Sequence, residues 1–280
     1  MPSNITKNTL QTTPLHFNPF SGFQIAKLRN EHSLFDDPDA IRVNCTAGPV
    51  STAGTSVVAF AKAANAGDTI YLSYFTNEIS SVRLTDPPPA GVTMFTTDNL
   101  SGCKFFVDRI TGSNDLIAYH ANARGLSPPS NHGAVNPVLE TPAATIELNR
   151  LHTAAANDWA GAPHNLALVA GGSVDKPHYN LGARVMTQHK AVMGRRRVTQ
   201  ANDPVDPLRR DRPEYAGGTV IFGFYTTAWK FYYQSWGAVE YRRPKKSPKG
   251  WFGNRDVAGA HMRLVGYGRI YPLPATNNIL

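Results

Sequence analysis

Short apolar runs rich in β-branched and aromatic residues recur along the chain: TIYLSYF (69–75), VTMFTT (92–97), KFFVD (104–108) and DLIAYHA (115–121). Turn-forming stretches separate them, DPPPAG at 86–91 and TGSND at 111–115, where Pro presets φ and Gly supplies the positive φ of tight turns. Runs bounded in this way predict strands. A second group lies toward the C-terminus, GGTVIFGFYTTAWKFYYQSWGAVEYRR (217–243) and HMRLVGYGRIYPL (261–273). The first of these begins as a continuous apolar run, the pattern of a strand covered on both faces. Helical signals are rarer. TPAATIELNRLHTAAANDWAG (141–161) has Pro142 near a start, an Ala-rich middle and Gly161 just past the end. GTSVVAFAKAANAGD (54–68) is a second predicted helix.

Residues 1–40, with Pro14, Pro19, Pro38 and mixed polarity, predict a loosely ordered N-terminal segment that wraps the body or frays from it. No fixed-period repeat and no Gly/Ser linker divides residues 41–280. The pattern therefore predicts a single α+β domain there, a β-sandwich core of mixed and antiparallel strands edged by helices and long loops.

Composition narrows the class without changing the fold. A chain of 280 residues that is 41% apolar and 10% aromatic can bury a substantial core and is not of the disordered type. Lys and Arg number 28 against 20 Asp and Glu, a net charge of +8. That balance suits an acidic partner, or serves solubility alone. Much of it sits in two Pro-containing stretches, 194–214 and 241–251, predicted as exposed loops between strands. Only two cysteines, Cys45 and Cys103, exclude a disulfide framework. Neither belongs to a zinc-type spacing, so no metal and no cofactor is expected. The start, MPSNITKNTLQTTPLHF, lacks the apolar core of a secretory signal, and no run is long enough for a membrane-spanning helix. The expectation is a soluble protein without membrane contact that, if exported, uses no cleaved apolar signal.

Candidate chemistry centres on Cys103 and His120. If 104–108 and 115–121 form an antiparallel hairpin, opposed residues have position numbers with a constant sum. A direct Cys103–His120 pair puts the turn between Thr111 and Gly112, where TGSND begins. Directly opposed Cβ atoms lie roughly 4.5–5.5 Å apart, close enough for a thiol and an imidazole to share a proton. The imidazole would take the thiol proton and leave a thiolate, the form that attacks a carbonyl. Gly102 permits a tight turn before Cys103, which could aim backbone N–H groups at a developing oxyanion. The same two residues also read as a buried small hydrophobe and a packed histidine. Cys45, in VNCTAG, is assigned to the core; His132, His164 and His178 fall in loops.

The motif LSGC at 100–103, followed by an apolar strand and a strand carrying His120, resembles the catalytic signature of the cytotoxic necrotizing factor and Burkholderia lethal factor-like glutamine deamidases. In the lethal factor type a Thr lies six positions before the Cys, and Thr97 stands there. Bacterial chemoreceptor deamidases share the order Thr, Cys, His with a similar Cys-to-His spacing. The resemblance spans residues 92–122 and is faint elsewhere. The Cys-to-His connection is longer than in the lethal factor type, and the N-terminal and basic segments are additions. The resemblance implies a β-sandwich edged by helices. It also implies Cys103 as nucleophile, His120 as general base and then acid, and Thr97 as the group that orients His120 through its hydroxyl or carbonyl. The implied substrate is a glutamine on a folded host protein, a Rho-type GTPase or a translation-initiation helicase. Such a protein is a monomeric bacterial toxin or effector, delivered without a cleaved signal and acting in the host cytosol, with no cofactor and no nucleic-acid partner. Two other readings stand beside it: a cysteine protease or amidase using the same pair, and a non-catalytic basic β-sandwich that binds nucleic acid or an acidic protein.

Overall fold

Alternation of buried and exposed positions resolves into two packed sheets in a computed structural model that describes residues 3–12, 15–17, 40–49, 56–61, 67–75, 77–100, 103–123, 142–174, 213–243 and 256–279. Among these residues the helices are α1 (Lys7–Thr12) and α2 (Pro142–Ala160). The strands are β1 (Leu15–Phe17), β2 (Ala40–Pro49), β3 (Ser56–Ala61), β4 (Thr69–Leu72), β5 (Ile79–Leu84), β6 (Met94–Leu100), β7 (Cys103–Ile110), β8 (Leu116–Asn122), β9 (Leu168–Val174), β10 (Pro213–Tyr225), β11 (Trp229–Arg243), β12 (Asp256–Tyr271) and β13 (Thr276–Ile279). One sheet runs β1-β3-β2-β4-β6-β10-β11-β12-β13 and the other β5-β8-β7-β9. The fold is α+β, mostly sheet with few helices, as the apolar pattern predicts. Of the described helices, none is long and apolar enough to cross a membrane.

The core lies between the sheets. The larger sheet contributes Ile70, Leu72, Phe95, Leu100, Ile221, Phe231, Tyr233 and Ile270; the smaller one contributes Val82, Leu84, Cys103, Phe105, Val107, Leu116, Ala118 and Val174. Period-two alternation puts these side chains on one face of each strand. The other face of the small sheet carries Phe106, Ile110, Ile117, Tyr119 and Ala121 and is covered by α2 through Leu148, Ala155 and the partly buried Trp159. Residues 144, 148, 155 and 159 recur at helical spacing, which gives α2 one apolar stripe. The outer face of the large sheet, with Ile41, Val43, Tyr71, Met94, Val220 and Phe222, is covered by Ile5, Leu10 and Leu15 of the N-terminal segment. Gly172 lets β9 close against β12: a Cβ there would lie 2.6 Å from the Ile270 carbonyl oxygen.

One element differs from the sequence reading. Within the predicted helix 54–68, residues 56–61 are instead β3, antiparallel to β2 and parallel to β1, and β4 begins at Thr69; residues 54–55 and 62–66 lie outside the described residues. The β-branched pair Val57–Val58 and two flanking strands outweigh the Ala-rich helical composition. The 217–243 run has the predicted β character, as a long hairpin with Tyr225 paired to Trp229 across residues 226–228.

Candidate active site

Cys103 opens β7 three residues after β6 ends, and both strands present their inner faces to the core between the sheets. Between the Ile221–Thr97 and Thr219–Leu100 pairs β6 advances three residues while β10 advances two, so β6 carries a bulge just after Thr97. A bulge of this kind re-aims the residues that follow it. Leu100 thereby joins the inner core while Thr97 stays on the inner face.

Cys103 and His120 are not directly opposed. The β7–β8 register pairs Cys103 with Asn122 and Phe105 with His120. The reason is the turn: Ser113 N donates to the Ile110 oxygen and Ile110 N to the Asp115 oxygen, which leaves Thr111–Asn114 as a four-residue loop with Gly112 at φ 78°. The constant sum becomes 225 rather than 223, a slip of two. A slip of two preserves the face, whereas a slip of one would have separated the pair. Cys103, His120 and Asn122 therefore share the inner face, with Cys103 and His120 as diagonal neighbours.

His120 is fully buried, and its environment fixes its tautomer. Thr97 Oγ1 donates to the Leu72 carbonyl oxygen at 2.8 Å and lies 2.6 Å from His120 Nδ1. With its one proton given to Leu72, the hydroxyl must accept from Nδ1–H. The proton-free nitrogen is then Nε2, which has no hydrogen-bond partner among the described residues. Burial lowers the imidazole from 6.5 to about 3, so it is neutral at physiological pH. Tyr74 stacks on the ring, centroids 5.6 Å apart. Ser80 on β5 faces it across the strand pair, and its Oγ likewise has no partner among the described residues.

The thiol has its own neighbour. Asn122 Nδ2 donates to Cys103 Sγ at 3.0 Å, and Asn122 Oδ1 accepts from Asn77 N at 3.2 Å. Cys103 retains 4% exposure and His120 none. The second cysteine behaves differently: Cys45 sits in the outer-face cluster with its thiol pushed far up by burial. His164 is exposed beside Trp159, with ring centroids 4.5 Å apart. Gly102, His132, His178, residues 194–212 and residues 244–250 lie outside the described residues.

Across the core between the sheets, Thr97 on the inner face of the large sheet meets His120 on the inner face of the small sheet, where Cys103 is its diagonal neighbour, and it is the Thr97 hydroxyl rather than its carbonyl that meets the imidazole. Sequence reasoning missed Asn122, Tyr74, Ser80 and the Leu72 carbonyl. Asn122 could have been found by period alone, since it follows His120 by two on the same strand. Among the described residues, no group of three or more His, Cys, Asp or Glu side chains could hold a metal ion.

No protein-family model matches the chain, and no curated protein matches it. Among solved structures the chain is similar to the C-terminal domain of CNFy from Yersinia pseudotuberculosis, at 12% identity over 80% of this chain and 73% of that one, with a TM-score of 0.26. A likeness of that size leaves the chemistry to the side chains themselves.

Proposed function

We propose that the protein is a thiol deamidase that converts a glutamine of a host protein into glutamate. The observation that carries the reading is the Thr97–His120 hydrogen bond of 2.6 Å, which leaves a neutral Nε2, without a partner among the described residues, on the same inner face as the Cys103 thiol. A general base needs a free lone pair and a fixed ring, and both are present. Diagonal cross-strand positions place the two side chains farther apart than a directly opposed pair. Closing that diagonal gap falls to substrate binding in the proposed reaction.

In the proposed reaction the thiol proton passes to Nε2 as sulfur forms a bond to the carboxamide carbon. The tetrahedral intermediate breaks its C–N bond, and ammonia leaves with the proton that Nε2 held. Water then gives a proton to Nε2 and its oxygen to the thioester carbon; the C–S bond breaks, sulfur regains the proton, and glutamate is released. Cys103 is the nucleophile, His120 the base and then the acid, and Thr97 the positioning residue. Burial of Cys103, which is 4% exposed, supports a single side chain rather than an extended backbone as the substrate. A Rho-type GTPase or a translation-initiation helicase is the class of substrate that the LSGC resemblance suggests, and a bacterial toxin acting in host cytosol is the setting it suggests.

The test is to incubate the protein and its Cys103→Ser variant with host-cell lysate and to map glutamine-to-glutamate conversions by mass spectrometry. Conversion of a discrete glutamine by the wild type alone is the expected result. New peptide termini without conversion would instead assign a protease, and neither change would reject thiol chemistry on protein substrates.

A further inference from the structure

We propose that Asn122 is the positioning residue of the Cys103 thiol, its side-chain amide fixing the sulfur's orientation and stabilising it as the thiolate. The use of that thiolate as a nucleophile rests on the function proposed above; the interaction itself does not. Asn122 is the residue directly opposed to Cys103 across the hairpin. Its backbone N–H donates to the Glu78 oxygen at 2.9 Å, and its Oδ1 accepts from the Asn77 N–H at 3.2 Å. Only the amide oxygen can accept that proton, so the NH2 group is obliged to face the sulfur. Nδ2 lies 3.0 Å from Sγ, and Asn122 is 7% exposed. Asn77, which supplies the clamp, has φ 63°, a left-handed conformation that asparagine tolerates better than most residues.

An N–H donor aimed at sulfur favours the charged form over the neutral one, because the thiolate is the stronger acceptor. In many thiol enzymes a neighbouring cation does this. Here the imidazole is held neutral by burial, so it does not form an ion pair with the thiol at rest. Among the described residues, Tyr74 stacks on the His120 ring, and the charged side chains of the packed elements are engaged elsewhere. Lys104 points from the opposite face of β7 to Asn149, and Asp108 and Tyr119 lie on that same α2-facing side. Asp98 sits by Tyr71 on the outer side of β6. Arg83 is paired with Asp115 at the far end of the small sheet, and Arg269 donates to the Pro274 oxygen. Tyr233 shares the inner core but is kept neutral, its hydroxyl pushed up to about 12 by burial. Among the described residues, the Asn122 amide is the polar donor placed against the sulfur.

The measurement is the pH titration of Cys103, followed by thiolate ultraviolet absorbance of the full chain as a difference from its Cys103→Ser variant. Asn122→Ala is expected to raise the midpoint by about one pH unit, the scale of one hydrogen bond to a charged group. Asn122→Asp keeps the shape and the acceptor for Asn77 while replacing the donor by a carboxylate, and should raise the midpoint further. A midpoint equal to that of the wild type in a folded Asn122→Ala protein would overturn the proposal. A readout in the unaltered protein guards against misfolding: the Asn122 side-chain amide resonances should shift through the Cys103 midpoint and stay flat in Cys103→Ser. Flat resonances in both would equally overturn it. No substrate enters either readout. Absence of deamidation by the wild type with these titrations as expected would therefore reject the proposed function and leave the role of Asn122 standing.

Discussion

Two buried groups depend on one oxygen at Thr97, whose hydroxyl donates to the Leu72 carbonyl and accepts from His120 Nδ1. Thr97→Val keeps the shape and removes both bonds. It should cost about 2–4 kcal/mol by chemical denaturation, because each stranded buried group costs about 1–3 kcal/mol. Thr97→Ser retains both bonds, loses one methyl, and should cost about 1 kcal/mol. The same neutral histidine gives the protein a signed pH dependence. Its pKa falls from 6.5 to about 3 on folding, so the unfolded chain binds the extra proton in that window. The contribution of His120 is then fully favourable above 6.5 and is lost as pH falls toward 3. Asp98 works in the opposite direction, raised by burial from 3.8 to about 6, so its contribution is complete below 3.8 and fades as pH rises through 6. Denaturation midpoints measured across this range should rise less steeply with pH in a His120→Asn variant than in the wild type. Adding Asp98→Asn should remove the opposing slope.

A strand hairpin and one helix carry the site, and both can be probed away from it. Gly112 has φ 78°, and a Cβ there would meet nothing within 4 Å. Gly112→Ala should therefore cost only the conformational penalty, about 1 kcal/mol, while leaving the Cys103–Asn122 register intact. On the far face of the same sheet, His152 of α2 reaches Asp108 at 2.9 Å and stacks on Phe106 with centroids 4.0 Å apart. Lys104 bonds Asn149, and Trp159 Nε1 donates to Ser81 Oγ. His152→Ala should cost about 2–3 kcal/mol through the lost hydrogen bond to a buried carboxylate and the lost ring contact, measured by denaturation at neutral pH. The strands β4, β6, β7 and β8 were legible as apolar runs between turns, and α2 as an Ala-rich stretch between Pro142 and Gly161. The shared face of Cys103 and His120 was legible too, because it depends only on the period of two. Their register was not, because a glycine marks a turn without stating how many residues the turn contains. Residues 54–68 misled because the Ala and Lys of the stretch favour a helix, while the partners that made 56–61 a strand lie elsewhere in the chain.

At the scale of the whole molecule the order of the layers was hidden from the sequence for the same reason. β4 pairs in parallel with β6 and not with its chain neighbour β5, which crosses to the other sheet. That crossing delivers the Leu72 carbonyl to Thr97 and Ser80 to His120 from separate sheets, and no local spacing encodes it. The N-terminal cover is held by a contact equally remote in sequence. Gln234 on β11, fully buried, accepts from Leu15 N–H at 2.7 Å through Oε1 and donates to the Leu10 oxygen at 2.7 Å through Nε2. One amide thus satisfies a backbone donor and a backbone acceptor on either side of residues 13–14. Leu10 and Leu15 bury their side chains on the same outer face, so the polar clamp and the apolar contact fix the segment together. Gln234→Leu keeps the bulk but strands both backbone groups, and should cost about 2–4 kcal/mol. Because the lost bonds tie only the first residues to the sheet, the effect should be local: limited proteolysis should cut within residues 1–17 of the variant at protease concentrations that leave the wild type intact. The Cys103 titration should stay unchanged, since Gln234 belongs to the cover on the outer face and the thiol to the core between the sheets. A Gln234→Leu protein that resisted cleavage like the wild type would show that apolar burial of Ile5, Leu10 and Leu15 alone holds the cover.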